Sequence, residues 1–380
     1  MKFIVNSQLF VKQLQAISGV LTTNNALPII SCFHFHLDEG KLTVKATDMA
    51  TTLVTTITDI ETNTSGLADI AVPSKLLLDI LKSLDDVPMT FSVDDKNYGI
   101  EIVSGQGKYR LAGMNPENYP EMPAPKDTQK VVMPASVLVS AISKTAFAAS
   151  TDELRPQMSG IYCELTPDGV TFVATDAQKL VRYRRSDIHA EESTNFILPG
   201  KPMTMLRNII NSRKEDCEAV IEYNNTNLFI TLENFYVICR LVDGKYPNYE
   251  AAIPKENPNR LTIDRLTLMN TLKRVGLFAN QSTHQVRLAI SSQELVISAE
   301  DIEFANDASE KLACSYEGKE MEIGFCAKFL IEMLNNLDTN EILIEMSDPR
   351  RAGIIFPVAE NQEETPESIL MLVMPMLLAN

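Results

Sequence analysis

The sequence predicts an α+β protein of three repeated domains, each an antiparallel sheet with two helices. Three observations carry that prediction. The first is a set of helical segments, each opened by a lysine: Pro73-Ser74-Lys75-Leu76-Leu77-Leu78, Pro199-Gly200-Lys201-Pro202-Met203 and Cys326-Ala327-Lys328-Phe329-Leu330. Their lysines stand 126 and 127 positions apart, and three such units account for all 380 residues. The second is the series Ala46-Thr47-Asp48, Ala174-Thr175-Asp176 and Ala299-Glu300-Asp301, each closing a run of alternating apolar residues. The third is Tyr119-Pro120 and Tyr246-Pro247, again 127 apart. A unit of this length can own a hydrophobic core. The expected domains are therefore 1–126, 127–256 and 257–380.

Each unit reads as strand, helix, a run of strands, helix and further strands. In the first, Phe3-Ile4-Val5 leads into 7–18, where Phe10, Leu14 and Ile17 share one helical face and Ser7 is the expected N-cap. Leu138, Ile142 and Thr145 repeat that register, as do Leu268, Leu272 and Val275, with Thr145 the weakest member. Asp38-Glu39-Gly40-Lys41 separates two alternating runs, Phe33–Leu37 and Leu42–Ala46, and predicts a hairpin; Pro167-Asp168-Gly169 is its counterpart. The second helix of each unit carries the stripes Leu77/Ile80/Leu84, Met203/Leu206/Ile210 and Leu330/Met333/Leu337. About eight strands per unit follow, with one sheet face covered by helices. Proline-rich segments from Asn115 to Pro125 and from Tyr246 to Pro258 join the units and should hold neighbours at a set angle, so that three domains draw an arc.

Apolar residues make up 45% of the chain and charged residues 22%, ordinary globular values. No apolar run is long enough to span a bilayer, and the N-terminus turns polar too early for a signal peptide. Six cysteines without a CxxC pair argue against zinc and disulfides and fit the cytoplasm. A net charge of −16 argues against nucleic acid until its distribution is examined. The six expected helices (7–18, 74–84, 136–149, 200–214, 264–279, 327–337) hold twelve basic residues: Lys12, Lys75, Lys82, Lys144, Lys201, Arg207, Arg213, Lys214, Arg265, Lys273, Arg274 and Lys328. Their acids are only Asp79, Asp264 and Glu332. Helices of one sign on the concave side of an arc would make a positive groove facing phosphate. With no zinc-finger spacing and no tryptophan, binding should be blind to sequence, an embrace of duplex DNA.

Several motifs then coincide: Leu27-Pro28-Ile29; Ala174-Thr175-Asp176 with Lys179-Leu180; Leu241-Val242-Asp243-Gly244-Lys245-Tyr246-Pro247-Asn248-Tyr249; Met321-Glu322-Ile323-Gly324-Phe325; and Val373-Met374-Pro375-Met376. On these the whole chain resembles the bacterial DNA polymerase III beta subunit family, the sliding clamps. The resemblance implies the DNA clamp fold and a head-to-tail homodimer closed into a ring around double-stranded DNA. It also implies a processivity role, tethering polymerase subunits, the clamp loader and repair proteins through short apolar peptides. It places the partner-peptide cleft at Met158, Thr175, Ala177, Gln178, Lys179, Leu180, Pro247, Ala252, Phe329, Met374, Pro375, Met376 and Leu377. DNA-facing positions are Asn24, Arg155 and Gln157 by resemblance, with Lys12, Lys82, Lys144, Lys201, Arg207, Arg213, Lys273 and Arg274 from the helix charges. The implied dimer interface sets Tyr109, Arg110 and Leu111 against Leu277 and Phe278. Ala177-Gln178-Lys179 stands where the family often has Gly-His-Arg, Cys326 where asparagine is common, and Leu377 where a basic residue often follows.

Catalysis, metals and cofactors are not expected. His34 and His36 alternate on one strand, but no carboxylate or cysteine sits at ligand spacing, so they read as structural. Gly105-Gln106-Gly107 is a hairpin turn lacking the helix a phosphate loop needs. Asp48, Asp176 and Asp301 recur once per unit, which marks a turn or cap residue rather than a catalytic acid. Two alternatives compete with the clamp. A hydrolase using Asp176 or His189 finds no nucleophile, base and orienter to assemble. A scaffold that binds only proteins would share the tail cleft, but would need no basic helices.

Overall fold

The computed structural model describes residues 1–22, 27–62, 68–213, 215–358 and 365–378. The first repeat runs β1 (Lys2–Asn6), α1 (Ser7–Ser18), β2 (Cys32–Asp38), β3 (Lys41–Thr47), β4 (Thr51–Ile57), β5 (Glu61–Thr62), β6 (Asp69–Pro73), α2 (Ser74–Ser83), β7 (Pro88–Val93), β8 (Gly99–Ser104) and β9 (Gly107–Ala112). The second runs β10 (Gln129–Pro134), α3 (Ala135–Thr145), β11 (Gly160–Thr166), β12 (Gly169–Thr175), β13 (Lys179–Arg185), β14 (Thr194–Pro199), α4 (Gly200–Asn211), β15 (Glu218–Tyr223), β16 (Asn227–Leu232) and β17 (Phe235–Arg240). The third runs β18 (Asn259–Asp264), α5 (Arg265–Val275), β19 (Gln285–Ile290), β20 (Glu294–Asp301), β21 (Asn306–Ala313), β22 (Ser315–Glu317), β23 (Met321–Cys326), α6 (Ala327–Asn335), β24 (Glu341–Met346), β25 (Gly353–Val358) and β26 (Glu367–Val373). The predicted order of strands and helices holds in all three.

Two compact units contain these repeats: residues 1–139 with 201–241, and 140–200 with 242–380. In the first unit an eight-stranded sheet has the order β10-β15-β16-β17-β4-β3-β2-β6, and a five-stranded sheet the order β5-β1-β7-β8-β9. In the second, a nine-stranded sheet runs β14-β11-β12-β13-β26-β25-β24-β18-β22, and a four-stranded sheet β21-β20-β19-β23. Each repeat therefore divides its strands between two sheets, where the sequence suggested one. The long sheets cross repeat boundaries through β4–β17, with Thr55 opposite Phe235, and through β13–β26, with Lys179 opposite Val373. Pairing of this kind satisfies rows of N–H and C=O groups that an edge strand would leave open. Within their sheets β9 and β21 remain edges.

Five of the six helix stripes bury as their spacing requires. Phe10, Leu14 and Ile17 are fully buried, and so is Thr145, whose hydroxyl donates to the Ala141 carbonyl at 2.5 Å and so tolerates the core. In α2 the buried set is Leu77, Leu78 and Leu81, while Ile80 and Leu84 are only half-buried, a shift of one position from the expected stripe. The cap of α1 also differs. Asn6 accepts from the Leu9 N–H at 2.9 Å, whereas the Ser7 hydroxyl donates to the Asp85 carbonyl at 2.6 Å. The β2–β3 turn places Glu39 and Gly40 at φ 46° and 80°, the left-handed pair of a two-residue hairpin. All six cysteines are free; Cys32, Cys163, Cys239 and Cys326 are buried, and burial pushes the Cys239 thiol up to about 12.

Candidate functional site

The recurrent Thr-Asp motif builds the same loop twice. In the first unit Asp48 Oδ1 accepts from the N–H groups of Ala50 (3.1 Å) and Thr51 (2.7 Å), and the Thr47 hydroxyl donates to the Thr51 carbonyl. In the second unit Asp176 Oδ1 accepts from Gln178 (2.9 Å) and Lys179 (2.8 Å), and the Thr175 hydroxyl donates to the Lys179 carbonyl. Met49 and Ala177, the residues after each aspartate, share φ 76°. Asp301 likewise accepts from Glu303 N–H at 3.1 Å. These aspartates are turn residues, as their recurrence predicted.

All thirteen predicted cleft residues lie in the second unit. The loop 175–180 presents exposed Ala177 and Gln178, while Lys179 and Leu180 turn inward on β13. Beneath it, Leu180 packs with Tyr246, Tyr249, Leu370 and Leu372, with Tyr162 and Ile253 at the margin. Tyr162 stacks on Tyr246 at 4.8 Å between ring centroids. Burial pushes the Tyr249 phenol up to about 12, so this apolar floor stays uncharged. Pro247 and Ala252 are exposed on the segment that carries the two tyrosines. Met158 is buried, and its carbonyl accepts from Ser150 N–H at 2.9 Å.

The tail follows the predicted course. β26 ends before Pro375, which has no N–H to donate. Met374 N–H bonds the Gln178 carbonyl at 2.8 Å, fastening the tail to the loop, and Met376 bridges Gly324. Gly324 is needed there, because an added Cβ would lie 2.6 Å from the Met376 carbonyl oxygen. Met374 and Leu377 remain exposed, at 42% and 79%.

Sequence reasoning missed the surroundings of Lys179. Its side chain is only 7% exposed; the ammonium lies 2.8 Å from Glu332 of α6, 3.3 Å from Asp176 and 4.5 Å from the centre of the Phe329 ring. The available signal was Glu332 itself, the lone acid of α6.

The helix cations divide into two groups. Lys12, Lys75, Lys82, Lys273 and Lys328 are exposed and Arg207 is half-exposed, with no carboxylate partner for any of them among the described residues. Lys201 sits 3.7 Å from Asp48. Others are engaged within the protein. Lys144, 17% exposed, is held by Glu367 and Asp338; Arg213, 15% exposed, by Glu233 and Asn234; Arg265 donates to the Thr339 and Leu334 carbonyls. Arg274 makes two bonds to Glu310, at 2.9 and 2.6 Å, which hold that carboxyl below its usual range. Arg213 also lies beyond the end of α4, and Asp264 is the N-cap of α5 rather than part of it. Arg155 and Leu154, 90% exposed, share a loop with half-buried Gln157. Asn24 and Lys214 fall outside the described residues.

At the sheet edges, β9 carries half-buried Tyr109, exposed Arg110 and buried Leu111. Leu277 and Phe278, 82% and 41% exposed, follow α5 in the second unit. Strand pairing brings a carboxylate to the histidine pair that sequence spacing did not show. Asp69 of β6 lies opposite His36 and bonds both His34 (3.0 Å) and His36 (2.9 Å). Burial and the nearby Lys45 hold His34 below its usual pKa. Among the described residues no group of three His, Cys, Asp or Glu side chains is arranged to hold a metal ion, and no helix is long and apolar enough to cross a membrane.

This architecture, with paired half-sheets continuing from one repeat into the next, defines a class of three-domain clamp proteins. Sequence models of the N-terminal, central and C-terminal domains of the DNA polymerase III beta subunit match residues 1–123, 132–248 and 250–376 in order, and the chain belongs to that family. It is similar to the beta sliding clamp of Synechococcus elongatus, 26% identical over 387 residues and all of both chains. Among solved structures it is similar to the sliding clamps of Pseudomonas aeruginosa and Bartonella birtlesii, each bound to griselimycin. These are 25% and 26% identical, with TM-score 0.91 and complete coverage in both cases.

Proposed function

We propose that this chain is a sliding clamp that closes as a head-to-tail homodimer around duplex DNA and tethers replication and repair proteins by short apolar peptides. It acts as a non-catalytic processivity subunit, in the cytoplasm, with its domains at 1–126, 127–256 and 257–380. The observation that carries the reading is the pattern of sheet joints. Strand β4 of the first repeat meets β17, the last strand of the second, and β13 of the second meets β26, the last of the third. The remaining members of the series are β21 and β9, both edges. A third joint of the same kind, β21 of one copy against β9 of another, made twice in a head-to-tail dimer would close a ring. Leu277, Phe278 and half-buried Tyr109 supply apolar surface for it, while Leu111, buried within its own sheet, backs the edge. The cations Lys12, Lys82, Arg207 and Lys273, without a carboxylate partner among the described residues, then serve phosphate together with Lys201, and Arg155 and Gln157 add to those contacts.

Tethering raises the polymerase concentration at the primer end without new chemistry. The docking cleft runs over Leu180, Pro247, Ala252, Phe329, Met374 and Met376, where flexible methionines adapt to different peptides. The test is retention on DNA of two shapes, with the oligomer measured by light scattering. A dimer retained on nicked circles and lost from linear DNA of equal length supports the clamp; equal retention, or none on either, refutes it. A scaffold that binds proteins alone would give the second result.

A further inference from the structure

The cluster around Lys179 differs from the equivalent joint of the first unit, where the helix cation Lys201, 58% exposed, reaches Asp48 at 3.7 Å and the loop itself supplies no lysine. There the same Thr-Asp loop ends in Thr51, and the helix position matching Glu332, counted from Lys201 and Lys328, is Met205. The loop keeps its hydrogen bonds with Thr51 in that place, so its geometry does not require a buried lysine there. Lys179 is nonetheless almost wholly buried, between Glu332 at 2.8 Å and Asp176 at 3.3 Å, with the Phe329 ring at 4.5 Å. Glu332 and Phe329 are three positions apart on α6 and so lie on one helical face. A buried charge is costly unless paired, and this one takes two carboxylates and a ring face.

We propose that Lys179 is a positioning residue that locks α6 to the 175–180 loop and fixes the Phe329 ring as a preformed wall of the peptide cleft. The inference rests on the cleft proposed above. Its ammonium is enclosed by protein groups, so it acts through Phe329 and Glu332 rather than by touching the peptide. A fixed wall lowers the ordering cost of binding, and releasing it weakens every ligand of the cleft alike.

The experiment titrates the full-length dimer with labelled griselimycin and with two labelled apolar hexapeptides differing only by aspartate or asparagine. Lys179→Met keeps the stem and removes the charge. Glu332→Gln, at a half-exposed position, removes the partner with little risk to folding, and Lys179→Arg restores the charge. Both charge-removing variants are expected to bind each probe about tenfold more weakly, equally for the aspartate and asparagine peptides, with Lys179→Arg within about threefold of the parent. Loss confined to the aspartate peptide would overturn the positioning role in favour of direct contact. Parental affinity in Glu332→Gln, while removal of residues 374–380 abolishes binding, would overturn the inference alone. Binding that survives that removal would overturn the cleft itself.

Discussion

The sharpest prediction concerns which helix cations serve DNA. Four basic residues near the helix ends look alike in sequence: Arg207, Arg213, Lys273 and Arg274. In the structure Arg213 is bound by Glu233 and Asn234 and Arg274 by Glu310, while Arg207 and Lys273 have no carboxylate partner among the described residues. A cation that already faces a carboxylate releases little counterion on meeting phosphate. Replacing Arg207 and Lys273 by glutamine removes four free cations from a dimer. At about 0.9 per phosphate contact, the slope of log affinity against log salt should then flatten by up to about 3.6. Between 50 and 200 mM salt that is roughly a 150-fold difference in how steeply affinity falls. The matched pair Arg213→Gln and Arg274→Gln should leave the slope within about 1 of the parent. The assay is fluorescence anisotropy on a duplex across a salt series, with light scattering to establish that both variants remain dimers. If the second pair flattens the slope as much as the first, the division by ion pairing is wrong.

Other consequences are independent of that one. Leu277→Asp with Phe278→Asp should give folded monomers by light scattering, because two adjacent carboxylates on one side of each joint would lose water on closing against the other side. Deleting Met374 through Asn380 should remove most peptide affinity in anisotropy titrations, while circular-DNA retention persists. The purified chain should incorporate no nucleotide with magnesium, since Asp48, Asp176 and Asp301 bond the backbone of three separate turns. His34 is held below its usual pKa mainly by burial, so the unfolded chain binds a proton that the native state refuses. Stability should therefore fall as pH drops below about 6.5, and His34→Gln should lessen that fall in thermal melts at pH 5.5 against 7.5.

The repeat, the order of its elements and the helix stripes were legible because spacing and period are local properties of the chain. The thirteen proposed cleft positions came from the family resemblance, and all of them fall in one compact unit. The Thr-Asp loop was legible too, since an aspartate bonding the backbone two and three residues on needs nothing beyond its own segment. Division of each repeat between two sheets was not, because β4–β17 and β13–β26 pairing depends on which edges meet after folding. The same holds for charge. Sequence counts twelve cations on six helical segments, but Glu233, Glu310 and Glu367, which engage three of them, lie outside those segments. Only the packed chain decides which positive charges remain to meet a phosphate and which lysine is drawn inward, because ion pairing acts through distances in space that chain separation does not encode.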